Sequence, residues 1–380
     1  MSDPTTTIPT STSTLSTTTA TASSTETCIP NMKPGKDGYL PPYSCDALQN
    51  YVLSFGAAVL FTVLFGLITG VHIVQAFIYK KRFCWVIIMA SIWELAALIL
   101  RVFLSKHQNN ENYYTSNFLL MLLAPLWINA FLYMILGRMV YFLSETKKLV
   151  GISAVRLSTI FVLFDIVAFI VQATGAVMAS QTDAPNSTIM TGLHIYMGGV
   201  GLQQIFILCF TGLAILQHRQ TLVQERQGLL YLRFQDSQSR SSMGWRWLFY
   251  ALYIDLVLIT IRIIYRLCEY SSGYTTSNRM LDSEAYPYVL DTLPMFLALA
   301  VLNVLHPGRV LRGPDSEFPR LSRAEKKRVK KEKKAQKATK KAEKRVVSRQ
   351  QGFESLTESG RESPEFRDSI RLPERRQLEV

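Results

Sequence analysis

Four ionisable residues, Asp255, Arg262, Arg266 and Glu269, recur at spacings of seven, four and three along the apolar run from Trp247 to Cys268 and just past its end. In a helix these steps fall on one stripe. The run is long enough to cross a bilayer, and charges at that depth are costly, so they face a protein interior or a watery cavity. A stripe with both signs can lock helices together by pairing. It can also bind the charged head of an amphiphile, or form a polar route through hydrocarbon.

Other apolar runs carry similar groups. Glu94 and Arg101 are seven apart and share a face, as do Asp165 and Gln172. Arg138, Gln203, Gln204, Asp291, Asn303, His72 and His306 also lie within apolar stretches. Pairing alone can be structural, and interhelical polar contacts are modest glue. Charges on so many separate segments exceed what packing needs, so we expect a polar interior lined by Glu94, Arg101, Arg138, Asp165, Gln172, Gln203, Asp255, Arg262, Arg266, Glu269 and Asp291.

The elements that must position these residues are seven apolar stretches, at about 52–79, 83–104, 118–143, 157–180, 189–216, 247–268 and 288–306. Each can span roughly 30 Å of hydrocarbon as a helix. The expected fold is therefore all-α, an integral membrane bundle over residues 51–308 and not a set of soluble domains. Charged residues are only 18% of the chain, and many lie in the C-terminal tail. The mean hydropathy of +0.15 averages two polar ends with this apolar body.

Lysines and arginines set the expected orientation. Lys80, Lys81 and Arg82 follow the first stretch, Lys147, Lys148 and Arg156 separate the third and fourth, and five arginines from Arg219 to Arg246 separate the fifth and sixth. The opposite loops hold Lys106 and Arg279. This pattern predicts an outside N-terminus and a cytoplasmic C-terminus. It places Arg101, Arg262, Arg266, Glu269 and Asp291 toward the outer face. His72, Arg138, Asp165, Asp255, Asn303 and His306 fall toward the inner face, with Glu94 and the glutamines between. The first 27 residues lack an apolar core, so the first span is expected to act as its own uncleaved insertion signal.

Residues 1–50 read as an extracellular, Ser/Thr-rich disordered tail, either plain or an O-glycosylated stalk. Cys28 and Cys45 are a disulfide candidate there, with two free thiols as the alternative. Asn186-Ser187-Thr188 is a glycosylation candidate in a very short outer loop, close enough to the membrane that we expect it unmodified. Residues 309–380 form a basic cytoplasmic tail, expected to be largely disordered. The segment 320–349 carries most of the net charge of +13. It suits the anionic cytoplasmic leaflet, where each basic residue adds about 1 kcal/mol near the surface. Nucleic acid is not an expected partner for a chain tethered by seven spans.

No P-loop or G-x-S-x-G pattern is present, and the histidines within spans, His72, His194 and His306, lie at different depths. We therefore expect no catalytic centre, metal or cofactor. Gly66-x-x-x-Gly70 and Gly198, Gly199 and Gly201 suit close helix approach. Pro125 and Pro294 free backbone carbonyls and bend their helices.

Read in order, the polar residues resemble the fungal RTA-like family of seven-helix lipid-translocating exporters, over about residues 38–308. The resemblance rests on Gly38-Tyr39-x-Pro41, Glu94 and Arg101, Ala124-Pro125, Tyr133, Gly137-Arg138, Asp165, Gln172 and Gly175, then Gly192, Gly199, Gln203 and Phe206. Its strongest part is Arg262-x-x-x-Arg266-x-x-Glu269-x-x-x-Gly273, Glu284-x-x-x-Tyr288-x-x-Asp291-x-x-Pro294-Met295 and His306-Pro307-Gly308. Between Glu94 and Arg101 the family often has Gly-Tyr where this chain has Ala97-Leu98. The resemblance implies transport or flipping of amphipathic lipids such as sphingoid long-chain bases, resistance to toxic amphiphiles, and a place in the plasma membrane or an internal one. The alternative is a seven-helix lipid-sensing receptor that signals through its tail. Against the large receptor class, Gly137-Arg138-Met139 has no acid before the arginine, and the last span lacks Asn-Pro-x-x-Tyr.

Overall fold

A computed structural model describes residues 29, 31–44, 47–179, 181, 185–229, 244–271 and 280–310, and positions 328, 332, 335 and 338–339. Cys28 and Cys45 lie outside the described residues, as does most of the basic segment 320–349.

Among the described residues, seven helical segments are long and apolar enough to cross a membrane. They are α1 (Phe55–Tyr79), α2 (Trp85–Lys106, entered by a 3-10 turn at Arg82–Cys84), α3 (Glu111–Leu143), α4 (Ala154–Ala179), α5 (Asn186–Arg226), α6 (Gly244–Ser271) and the span Pro287–Val310, whose middle part is α7 (Leu293–Val304). A π-helical turn, Pro287–Thr292, leads into α7, and a short α8 (Pro307–Val310) follows it. Several helices outrun their apolar stretches. α3 begins at Glu111 because Asn110 caps it, its side chain accepting from the Tyr113 amide at 3.1 Å. α5 has 41 residues, about 62 Å at 1.5 Å per residue, so it projects well beyond the hydrocarbon. Its polar extension is tied to α6 by Arg246 and Glu225 at 2.6 Å.

Successive helices run in alternating directions. One end of the bundle, the Phe55 end, gathers the starts of α1, α3, α5 and α7. The other, the Tyr79 end, gathers the starts of α2, α4 and α6. A two-residue hairpin, β1 (Lys148–Leu149) with β2 (Ile152–Ser153), joins α3 to α4 and pairs Leu149 with Ile152. It turns through Val150 and Gly151 at φ 49° and 75°.

Close packing is concentrated between α4 and α5. A Cβ on Gly175 would meet the Tyr196 amide at 2.3 Å, and one on Gly192 would meet the Ala179 amide at 2.6 Å. On Gly199 it would meet Gln172 at 2.8 Å. Gly70, Gly198 and Gly201 would meet nothing within 4 Å, and Gly66 only Leu95 at 4.0 Å. The expectation of close approach therefore fails at these four and holds at Gly199. A small-residue pattern alone does not say which face meets a neighbour.

The described part of the N-terminal segment lies against the α2–α3 turn. Ile29 donates its amide to Tyr43 (2.9 Å), Gln108 donates its amide to Asp37 (2.9 Å), and Leu53 donates to the Gln108 side chain (3.2 Å). Residues 31–44 and 47–53 are thereby strapped across the α2–α3 turn at the Phe55 end. At the Tyr79 end the His306-Pro307-Gly308 motif clasps α1. His306 stacks on Tyr79 at 4.7 Å, and Gly308 lies where a Cβ would come within 2.8 Å of Tyr79.

Candidate functional site

The Phe55 end contains a buried network built from four elements. α6 supplies Arg262 and Arg266, one turn apart, and Glu269, three residues on. The π-turn before α7 presents Asp291 to both arginines, Arg262 donating to one carboxylate oxygen and Arg266 to the other. Arg266 also donates to Glu269 at 3.2 Å, and the Tyr265 hydroxyl donates to the same carboxylate at 2.9 Å. The wide π-turn re-aims the side chains around Asp291.

Arg262 has a second anchor that follows from the sequence. Pro125 has no N–H, so it cannot bond the carbonyl four residues earlier. That carbonyl belongs to Met121, and it accepts from Arg262 at 2.7 Å. The proline thus creates a backbone acceptor inside the bundle, and an arginine from another helix occupies it.

A second half of the network centres on Arg101 of α2. It donates to the Tyr288 hydroxyl at 3.0 Å, and at 3.4 Å to both the Tyr51 hydroxyl and the Glu284 carboxylate. Glu284 also accepts from the Ser54 amide at 2.7 Å, which fixes the start of α1. Burial raises the Glu284 carboxyl above the ordinary glutamate value, with the Arg101 guanidinium opposing that rise. A cavity of about 100 Å³ lies between the two halves, walled by Arg101, Arg266, Glu269 and Asp291 and roofed by residues 48–51 of the strap. That is room for several waters.

Glu94 sits one face-repeat below Arg101 on α2, 1% exposed, within electrostatic reach of Arg262, Asp291 and Arg266. Neither of its carboxylate oxygens has a hydrogen-bond partner. Of the predicted residues, the structure therefore brings together Glu94, Arg101, Arg262, Arg266, Glu269 and Asp291.

The residues expected toward the other face do not form one cluster. Asp165 accepts from Asn129 at 3.0 Å and Tyr133 at 2.8 Å, joining α4 to α3. Arg138 lies over the Phe83 ring at 3.9 Å and donates to the Met134 carbonyl. Asp255 is completely buried, and neither carboxylate oxygen has a hydrogen-bond partner. Gln172 donates to Gln203 at 2.9 Å between α4 and α5. Asn186 is exposed at the first position of α5. Among the described residues, no three His, Cys, Asp or Glu side chains gather where a metal could be held.

Sequence reasoning did not place Tyr51, Glu284 or Tyr265 in the site. Tyr51 and Glu284 lie outside the apolar runs, where membrane depth gives no signal. Glu284 did stand in the helical spacing Glu284-x-x-x-Tyr288-x-x-Asp291, and that spacing was the available clue.

Comparison with known proteins gives this architecture its relatives. No solved structure matches the chain. The chain is 52% identical over 303 residues to the probable lipid transporter atnI of Emericella nidulans, covering 80% of this chain and 78% of that protein. It is 24% identical over 285 residues to the sphingoid long-chain base transporter RSB1 of Saccharomyces cerevisiae, covering 68% and 72%. Protein RTA1 of the same yeast is 27% identical over 300 residues, covering 72% and 86%. The family model described as RTA1 like protein matches residues 87–314, from α2 through the last span. That stretch holds every helical member of the charge network, and the chain belongs to the RTA1-like family of multi-pass membrane proteins.

Proposed function

We propose that this protein moves amphipathic lipids, sphingoid long-chain bases or close analogues, between the leaflets of a fungal membrane, and so protects against toxic amphiphiles. The observation that carries this reading is the cavity of about 100 Å³ among Arg101, Arg266, Glu269 and Asp291, set within helices that are apolar on their outer faces. Such a cavity offers a charged head group the partners that hydrocarbon denies it. Across the network four carboxylates (Glu94, Glu269, Glu284, Asp291) meet three guanidiniums (Arg101, Arg262, Arg266). Glu269, Glu284 and Asp291 balance the three guanidiniums, so ionisation of Glu94, which has no hydrogen bond, would leave one negative charge in excess, and this favours a cationic head. The names of the relatives, a probable lipid transporter and a sphingoid long-chain base transporter, support the same substrate class.

The lysines and arginines at the Tyr79 end orient that end to the cytoplasm, so the network faces the outer leaflet. Asp165, Asp255 and Arg138 then lie along the inner half of the route. The segment 320–349 rests on the anionic cytoplasmic leaflet, most simply that of the plasma membrane.

The test is reconstitution. Purified protein in liposomes should speed the transbilayer movement of a fluorescent long-chain base over that in protein-free liposomes, measured with and without a proton gradient and beside a fluorescent phosphatidylcholine. No acceleration of the base under either condition overturns the proposal.

A further inference from the structure

Beside the polar cavity lies a second one, of about 70 Å³, bounded by α3, α4, α5 and α6 at the Phe55 end. Its walls include Leu119, Ala176, Val177 and Leu193. The two cavities share Tyr114, Phe118 and Tyr270, so these side chains border both. On its far side the second cavity opens to the surroundings of the bundle. Thr115 is exposed there, Val177 is 57% exposed and Leu119 39% exposed, all on surfaces that face lipid in a membrane.

One polar atom in this apolar crevice lacks a partner. Tyr196 is 2% exposed, lines the crevice, and its hydroxyl makes no hydrogen bond. A buried hydroxyl without a partner is costly, and ligand-binding sites supply the missing partner on occupation. Tyr196 is held edge-on against Tyr270 at 5.2 Å, and its hydroxyl is within electrostatic reach of Arg266 and Glu269. It therefore stands at the border between the apolar crevice and the charge network.

We propose that the crevice between α3 and the α4–α5 pair is the lateral port through which a single-chain cationic amphiphile reaches the network from the leaflet. The head group passes between Phe118 and Tyr270 to Glu269 and Asp291. The first methylenes of the chain lie against Leu119, Val177 and Leu193, and the rest of the chain stays in the surrounding lipid. A hydroxyl or amine near the head meets Tyr196. The crevice holds only a few methylenes and opens sideways, which selects one chain over two.

This inference rests on the proposed lipid movement and is tested apart from it. Val177→Trp and Leu119→Trp fill the port from positions that already face lipid. Leu67→Trp on α1, 66% exposed, is the control at an equally lipid-facing site away from the port. In proteoliposomes with a fluorescent long-chain base, Val177→Trp and Leu119→Trp should lose most of the movement that wild type and Leu67→Trp retain. Tyr196→Phe should raise the half-saturating concentration about fivefold, the loss expected for one hydrogen bond. A long-chain base carrying a photoreactive diazirine beside its head should label α3 and α4 near Leu119 and Val177. Wild-type movement with undiminished movement in both tryptophan variants, or labelling confined to other helices, overturns the port. Inactive wild type overturns the function on which it rests.

Discussion

At the scale of single residues, the network separates groups that hold the bundle together from groups with nothing to hold. Asp291 is the hinge of two ion pairs and is 0% exposed. Removing one member of a buried pair leaves the others uncompensated, so Asp291→Ala should destabilise the protein by about 3–5 kcal/mol, read as a lower thermal midpoint in detergent. Glu94 has no hydrogen bond to lose. Glu94→Gln should keep the wild-type thermal midpoint yet abolish resistance of cells to a toxic long-chain base. Retained resistance in a variant that reaches the membrane would exclude Glu94 from the route. Glu284 adds a pH effect with a definite sign. Its folded value lies above the unfolded one, so the folded state binds more protons and stability falls as pH rises through the interval between them. Glu284→Gln should flatten that part of the stability–pH profile, which chemical or thermal unfolding across the acidic range would measure.

At the scale of elements, the α4–α5 seam shows how backbone proximity sets the geometry of the site. Gly175 and Gly192 let the two helices touch, and this contact positions Tyr196 and the wall of the lateral crevice. Gly175→Ala forces a methyl into the α5 backbone and should cost at least about 1–3 kcal/mol. Gly198→Ala meets open space and should gain up to about 1 kcal/mol from helix propensity. Thermal unfolding of the two variants side by side is the check, and equal effects would show that the seam is looser than described. Pro125 works at the same scale. By removing one N–H from α3 it makes the Met121 carbonyl available to Arg262, so a helix irregularity and a charge site are one feature.

At the scale of the whole molecule, the two ends of the bundle are built differently. The Phe55 end carries the network, the polar cavity, the neighbouring apolar crevice and the N-terminal strap. The Tyr79 end is a clasp of α1 and α7, with Gln75 donating to the Asn303 carbonyl at 2.8 Å and Asn303 donating to Ile68. A protein that moves lipid through such a bundle does not need its tail for the movement itself. Deleting residues 320–380 should leave transbilayer movement of a long-chain base unchanged in proteoliposomes. A receptor that signals through the tail would instead lose its output on this deletion, with lipid movement never present.

Sequence alone determined the seven crossings, because apolar length and the cost of charge in hydrocarbon are properties of the chain read in one dimension. It also singled out the α6 stripe and the Pro125 irregularity, since helical periodicity and a missing N–H are local facts. Tertiary structure decided which charges meet. Asp165 turned to Asn129 and Tyr133, Arg138 to Phe83, and Asp255 to no partner, while Glu284 and Tyr51 joined from outside the apolar runs. Pairing depends on helix rotation and neighbour choice, set by close contacts such as Gly175 against Tyr196, and no spacing within one helix encodes them.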